Sequence, residues 1–138
     1  MVELFGHKST AIFDLWSITH FLSGAGIVLL VRWIMRFPGP ARQSPLLICL
    51  MLSAGWEFLE IYLELGLIGT PAITRWFDGV EHWSNRIIAD QALFVLGFAL
   101  ASARAWMVLP AKALSLGWLA VHVFLMPHSM YIQESWGY

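Results

Sequence analysis

Glu57 and Glu60 are the residues whose type and position most clearly indicate chemistry, because they interrupt an apolar stretch long enough to cross a membrane. The stretch covers residues 45–68 and reads PLLICLMLSAGWEFLEIYLELGLI. An ionised carboxylate inside a bilayer costs roughly 2.5 kcal/mol or more, so such residues usually face a bundle interior or a water-filled cavity. Residues three apart lie about 60° from each other on a helix, so both side chains point to one place. That place is the first candidate for a site.

A histidine and a third acid are expected at the same depth on two other apolar stretches. His20 lies about 9 Å deeper than Asp14 on one of them, and Asp90 reaches a similar depth on the other. Carboxylate and imidazole groups are ligands of hard or borderline divalent cations. We therefore predict that His20, Glu57, Glu60 and Asp90 lie close together and are the candidate metal ligands.

Further polar residues are expected to complete this centre. Asp14 lies on the same helical stripe as the candidate histidine, while Glu81 and Asn85 share a stripe of a third helix. Arg86 lies on a different face of that helix from Asn85, so at most one of these two is expected to point directly at the centre. If Asp90 is a member of the centre, Arg86 is its expected counter-charge. The remaining members of the centre are predicted to come from Asp14, Glu81, Asn85 and Arg86.

Membrane-spanning helices are the elements that must position these residues. The chain has 138 residues, of which 59% are hydrophobic and 12% are charged, whereas about 25% of the residues in a soluble domain are charged. A spanning helix needs about 20 predominantly apolar residues, and four stretches meet this need, at about 12–34, 45–68, 83–105 and 111–132. We predict an all-α polytopic membrane protein, a single domain over residues 1–138 that forms a bundle of four transmembrane helices.

Local signals indicate where the second of these helices begins and ends. Ser44 can cap its N-terminus, with Pro45 at the first helical position, where the missing N–H costs nothing. Gly66 and Gly69 are expected to close the helix. Glu64, near this end, is interpreted as a solvated residue at the membrane interface.

The distribution of charge predicts how the bundle is oriented. With four spans, loops 35–44 and 106–110 lie on one side of the membrane and both termini lie on the other. The first side carries cations and no acid, the cations being Arg32, Arg36, Arg42, Arg104 and Lys112. The positive-inside rule places that side in the cytoplasm. Both termini are then periplasmic, and the polar centre opens toward the outer face.

Three short motifs occur in order on the first three predicted helices. They are Asp-x-Trp-x-x-x-His-x-x-x-Gly (Asp14, Trp16, His20, Gly24), Trp-Glu-x-x-Glu (Trp56, Glu57, Glu60) and acid-x-x-x-Asn with a later glycine (Glu81, Asn85, Gly97). Together they resemble the VanZ-like group, small bacterial multi-span membrane proteins with many uncharacterised members. The resemblance covers roughly residues 14–100. It implies a shared polar centre in a bacterial cytoplasmic (inner) membrane protein and carries no named reaction. Asp90 departs from the pattern, because it lies five residues after Asn85, where the group has an acid four residues after.

Several functions stay open at this level. The polar centre favours binding of a divalent metal ion or a polar lipid head group, and acid/base chemistry on a lipid-linked substrate leaves enzymatic activity undecided. A second class is an accessory or structural subunit of a larger membrane complex, or a homo-oligomer. A third is binding of a haem or chlorophyll-type macrocycle through His20 and His122, which are expected at similar depths. The net charge of −1 gives no reason to expect a nucleic-acid partner.

Overall fold

The computed structural model describes residues 2–38, 44–77 and 80–125, with the side chains of residues 122 and 123 outside the described part. The chain is mostly helical. Its elements are β1 (Glu3–Phe5), β2 (Ala11–Phe13), α1 (Trp16–Gly26), α2 (Val28–Ile34), α3 (Pro45–Glu64), α4 (Pro71–Phe77), a π-helical turn (Asn85–Asp90), α5 (Gln91–Ala103), a 3₁₀ turn (Ala105–Met107) and α6 (Val108–Phe124).

Within the described residues, two helices are long and apolar enough to cross a membrane, and a third candidate span is obtained if a bent pair of helices is counted as one. The two are α3 and the continuous helix Asn85–Ala103, while α1 and α2 pass the same test together but meet at an angle of 44°. The bend lies at Ile27, directly after Gly26, and glycine is a common cause of helix kinks. The fourth predicted span, 111–132, continues beyond residue 125 and so lies partly outside the described residues. It stays a prediction.

The predicted first helix begins later than residue 12. Residues 11–13 form β2, which pairs in parallel with β1 in the register Glu3 with Ala11 and Phe5 with Phe13. The helix starts after Asp14. The carboxylate of Asp14 accepts a hydrogen bond from the Ser17 N–H at 2.8 Å, and the backbone N–H of Asp14 donates to Ser17 Oγ at 3.1 Å. This reciprocal pairing satisfies N–H groups at the start of the helix, as in a capping box. The all-α prediction therefore missed a short strand pair.

The boundaries of α3 agree with the sequence signals. Ser44 Oγ accepts a hydrogen bond from the Leu47 N–H at 3.1 Å, and Pro45 is the first helical residue. After the helix, Gly66 and Gly69 adopt φ values of 71° and 74°, in the left-handed region that glycine enters without steric cost.

The closest packing in the described chain lies between α1 and α5, where two glycines meet the facing backbone. A Cβ atom at Gly24 would overlap the carbonyl oxygen of Phe94, and a Cβ at Gly97 would overlap the carbonyl oxygen of Phe21. Small residues allow this approach of backbones, as is common between membrane helices. The contact fixes the position of α1 against α5, and therefore that of the polar residues one or two turns away.

Apolar and polar residues separate along the bundle. The hydrophobic core clusters around Val28, Val31, Cys49 and Phe98, in the half that holds the C-terminal end of the α1–α2 pair and the N-terminal end of α3. Large apolar side chains such as Phe58, 73% exposed, point outward from α3. The polar centre occupies the opposite half.

Candidate functional site

Three side chains from three different helices meet at the polar centre. His20 comes from α1, Glu57 from α3 and Asp90 from the π-helical turn, and their relative exposures are 6%, 5% and 0%. His20 Nδ1 lies 3.4 Å from Glu57 Oε1, and His20 Nε2 lies 3.6 Å from Asp90 Oδ2. One donor atom from each residue can be chosen so that all three lie within 4.8 Å of one another. We call these residues the His20–Glu57–Asp90 trio.

Two oxygen atoms of this trio have no hydrogen-bond donor among the described residues. They are Glu57 Oε1 and Asp90 Oδ2, the same atoms that face the imidazole. Ser53 Oγ, one turn from Glu57 on the same face of α3, is also buried without a partner within the described ranges. Buried polar atoms are rarely left unpaired in native proteins, and an exception calls for a bound water, ion or other group.

The other oxygen of Asp90 belongs to a well-connected network. Ser17 Oγ donates to Asp90 Oδ1 at 3.1 Å, and its separation from Asn85 Oδ1 is 3.4 Å. Asn85 Nδ2 donates to Asp14 Oδ2 at 3.0 Å. The bond from Ser17 orients the carboxyl group of Asp90, whose Oδ2 faces the histidine, and the Glu81 side chain also lies within hydrogen-bonding reach of this carboxyl group.

Arg86 is the positive hub on the other side of the centre. Its Nε lies 3.2 Å from Glu57 Oε2, and its Nη2 lies 2.9 Å from both Glu64 Oε2 and Glu81 Oε2. Arg86 therefore pairs with acids other than Asp90, whereas the sequence predicted that Arg86 is the counter-charge of Asp90. Charge-assisted bonds of this kind are among the stronger polar contacts in a protein.

Glu64 was interpreted from the sequence as a solvated residue at the membrane interface, and this interpretation is wrong. It is 7% exposed, and its Oε1 pairs with Lys8 Nζ at 3.0 Å. Lys8 lies in the loop between β1 and β2, and its carbonyl accepts a bond from the His82 N–H at 2.8 Å. The loop therefore folds back over the end of α3 and excludes water from a position that the sequence places at the helix end.

Asn85 and Arg86 both lie inside the centre, which corrects the prediction that at most one would. Their exposures are 0% and 4%. The reason is that the turn lies between two helices: Asn85 contacts Asp14 near the start of α1, whereas Arg86 contacts Glu57 on α3. The π-helical turn, with its i→i+5 bonding, also brings residues five apart into alignment. Asn85 and Asp90 can thus both contact Ser17.

Glu60 belongs to a second group of acids rather than to the trio. It is partly buried, and it groups with Glu57 and Glu81. Burial raises the pKa of Glu81 to about 7, and the negative charge of Asp14 adds to this rise while Arg86 opposes it. Because the guanidinium of Arg86 already neutralises part of this group, a metal ion has less reason to bind there than at the trio.

Sequence reasoning overlooked two residues of the centre, Lys8 and Glu64, and underrated Ser17. Lys8 and its partner Glu64 are 56 positions apart along the chain, and Ser17 and its partner Asp90 are 73 positions apart. The available signal was that Ser53, Glu57, Glu60 and Glu64 follow one helical face of α3. His122 lies on α6, but its side chain is outside the described part, so macrocycle binding through His20 and His122 stays a prediction.

The arrangement can bind a cation or move protons. In the first case Glu57 Oε1, Asp90 Oδ2 and one imidazole nitrogen of His20 are the ligands. In the second case the imidazole, with one nitrogen toward each carboxyl group, passes a proton between them. No family model, curated protein or solved structure matches this chain, so the site has to be interpreted from its own geometry.

Proposed function

We propose that this protein is an integral membrane protein that binds a divalent metal ion through His20, Glu57 and Asp90. The observation that carries the proposal is the pair of buried oxygen atoms, Glu57 Oε1 and Asp90 Oδ2, that lack a hydrogen-bond donor among the described residues. Both face the same imidazole ring, at 3.4 and 3.6 Å. The two atoms face different nitrogens of the ring, but one donor atom from each residue lies within 4.8 Å of the other two, so one cation can contact all three residues after small side-chain adjustments.

The spacing and the chemistry of the donors support a metal ion of hard or borderline character. Zinc binds imidazole nitrogen and carboxylate oxygen at about 2.0–2.2 Å, so two ligand atoms on one ion lie roughly 3.0–3.5 Å apart. The 3.4 Å between His20 Nδ1 and Glu57 Oε1 falls in this range. Two carboxylates with one imidazole suit zinc, manganese or ferrous iron, and the absence of a thiolate from this donor set disfavours copper(I).

The balance of charge supports a cation as well. Six carboxyl groups meet in the polar centre, where the two cationic side chains are Lys8 and Arg86; the acids are Asp14, Glu57, Glu60, Glu64, Glu81 and Asp90. Like charges at such separations cannot all stay ionised without compensation, so protons or a bound cation must make up the difference. A divalent ion at the trio supplies part of the missing charge, at the two oxygen atoms Glu57 Oε1 and Asp90 Oδ2, whereas Arg86 donates to the other oxygen of Glu57.

Insertion into a bilayer, with the buried His20–Glu57–Asp90 trio in the half that lies toward the periplasm, is the second part of the proposal. It is supported by the two or three helices of sufficient length and apolarity, by the outward-facing side chains of α3, and by the five cations on the opposite side. The resemblance to the VanZ-like group supports a bacterial inner membrane. A reporter that is active only in the cytoplasm, fused after Tyr138, should be silent, whereas the same reporter inserted after Pro38 should be active. The reverse result contradicts the orientation.

Metal binding is tested on the protein purified in mild detergent. Elemental analysis, followed by titration of chelated protein with Co²⁺ and Mn²⁺, should give about one tightly bound ion per chain and a Co²⁺ absorption spectrum typical of mixed nitrogen and oxygen ligands. Asp90→Asn and Glu57→Gln should each weaken binding at least tenfold, because an amide is a neutral and weaker ligand than a carboxylate. Equal affinity in the wild type and in both variants would refute the trio as the site.

Glu60→Gln is the matched control, because it removes a carboxylate from the neighbouring acid group on the same helix and leaves the trio intact. Binding should persist in Glu60→Gln. If binding is lost in Glu60→Gln and kept in Asp90→Asn, the ion occupies the Glu57, Glu60 and Glu81 group instead, and the proposed ligand set is wrong.

Cellular function is tested through a genetic phenotype of the deletion strain. Glu57→Gln should fail to complement while the protein accumulates normally, because the amide keeps size and hydrogen bonding but loses the charge that binds the ion. Full complementation by Glu57→Gln favours a structural role, since neutral groups are cheaper to bury than charged ones. Co-purification of a stoichiometric partner would then identify the chain as an accessory subunit, and an intense Soret band would indicate the macrocycle.

A further inference from the structure

A groove of about 580 Å³ lies beside the polar centre, between α1, α5 and the two short strands. Its walls are apolar except for Asp14, Ser17 and the backbone of Gly6, and they include Phe5 from β1 and Leu93 from α5. The volume is in the range of small-molecule sites, which are mainly apolar with a few polar groups that fix orientation. None of the metal ligands proposed above lines the groove, so it is a separate feature of the fold.

The wall of the groove changes in character along α1. Asp14 and Ser17 lie at the start of the helix, and Phe21 lies one turn deeper than Ser17, about 6 Å farther along the helix axis. Because α1 and α5 both belong to helices apolar enough to span a membrane, the Phe21 end lies at the depth of hydrocarbon and the Asp14 end lies toward the surface. This polarity matches that of a lipid in the adjoining leaflet.

Ser17 connects the groove to the proposed metal site. It lines the groove, and its hydroxyl donates to Asp90 Oδ1 at 3.1 Å. The second oxygen of that carboxyl group, Oδ2, is one of the two buried atoms without a donor in the described part of the chain. A polar group at Ser17 is therefore separated from the metal site by a single carboxyl group.

We propose that the groove binds the hydrocarbon chain of a membrane lipid and presents the lipid's oxygen-bearing head group to the metal site at Ser17. The position of the head group rests on the proposed metal binding, whereas the position of the chain rests on the groove and on the proposed insertion into a bilayer. A lipid is the occupant because the apolar end of the groove lies at hydrocarbon depth, where acyl chains are the surrounding medium. The polar end carries the side chains of Asp14 and Ser17.

Photo-crosslinking in vesicles tests the position of the chain. The protein is reconstituted in phosphatidylethanolamine and phosphatidylglycerol with a small fraction of phosphatidylglycerol that carries a diazirine in its acyl chain. Mass spectrometry should find the label concentrated on Ile18, Phe21 and Leu93. Leu93→Trp fills the groove and should reduce this labelling several-fold. Leu96→Trp is the matched control, because Leu96 lies one turn along α5, is 48% exposed and is absent from the groove wall, so labelling of Ile18 and Phe21 should not change.

Each other outcome overturns a defined part of the proposal. Labelling that follows surface exposure alone, with no response to Leu93→Trp, excludes a chain site in the groove. Groove residues that stay unlabelled, in protein that elutes as a dimer in mild detergent, identify a second copy of the protein as the occupant and also exclude a chain site. Every variant is checked for Co²⁺ binding, so that loss of label through misfolding is recognised; Ile18→Trp provides a second groove-filling variant.

The position of the head group is tested by removing the metal. Chelation should reduce groove labelling in the wild type several-fold, because the head group no longer meets the positive charge of the ion behind Asp90, and added Mn²⁺ should restore it. Unchanged labelling after chelation overturns the head-group part. If the wild type binds no metal yet labels in the groove, the proposed function fails and the chain site stands. If it binds metal without labelling, only the lipid inference fails.

Discussion

Substitution of Gly24 by alanine tests whether the close contact of α1 and α5 holds the polar centre together. A Cβ at this position would lie within 2.9 Å of three backbone atoms of Phe94, and backbone cannot move aside as a flexible side chain can. Forcing one extra methyl group into a packed contact costs about 1–3 kcal/mol. Alanine returns about 0.5–1 kcal/mol over glycine within a helix. The net expectation is a loss of up to about 2.5 kcal/mol in the free energy of unfolding, with a central value of about 1 kcal/mol.

Gly55→Ala provides the matched control, because a Cβ at Gly55 on α3 meets no atom within 4 Å. It should be neutral or stabilise the protein by up to about 1 kcal/mol. The measurement is reversible unfolding in mixed detergent micelles followed by circular dichroism, together with Co²⁺ affinity, since His20 lies one turn from Gly24 and should move with α1. If Gly24→Ala is as stable as Gly55→Ala and binds Co²⁺ equally well, the helices are not in backbone contact and this reasoning is refuted.

Further predictions concern the charge network and the helix ends, measured by the same unfolding experiment. Arg86→Leu should cost about 3–5 kcal/mol, because it leaves several buried carboxylates without their cation; a loss below 1 kcal/mol would mean that these acids are largely protonated. Lys8→Met should cost clearly less than Arg86→Leu, since Glu64 keeps its bond to Arg86 at 2.9 Å, and equal losses would contradict the role of Arg86 as hub. Ser44→Ala should cost about 1 kcal/mol through loss of the N-terminal cap of α3, and no change would show that the cap bond at 3.1 Å is dispensable.

The sequence alone determined the mostly helical class, two or three of the four predicted candidate spans and several helix ends, because these depend on local properties. Runs of about 20 apolar residues are identified by composition. Ser44 with Pro45 and the glycines after α3 act through the backbone of their own segment. The expected cost of exposing a carboxylate to hydrocarbon likewise predicted that Glu57 and Asp90 face inward. Each of these inferences needs only one helix and its surroundings.

Periodicity along one helix does not give its rotation against the next, and for that reason the grouping of the acids was decided by the tertiary structure. Glu57 lies toward His20 and Glu60 toward Glu81, although the two acids are only three positions apart on α3. The π-helical turn also escaped prediction, since no local residue requires it; its bonding depends on fitting Asn85 against α1 and Arg86 against α3 at the same time.

Burial of Glu64 was decided by a segment far away in the sequence. Glu64 lies at the end of α3, where local reasoning expects water, and only the return of the β1–β2 loop brings Lys8 to within 3.0 Å of it. Similarly, the metal proposal rests on Glu57 Oε1 and Asp90 Oδ2, two buried oxygen atoms that no donor among the described residues reaches with hydrogen-bonding geometry. Such an absence is a property of the assembled bundle, because every hydrogen bond between helices depends on the final distance and angle of both partners.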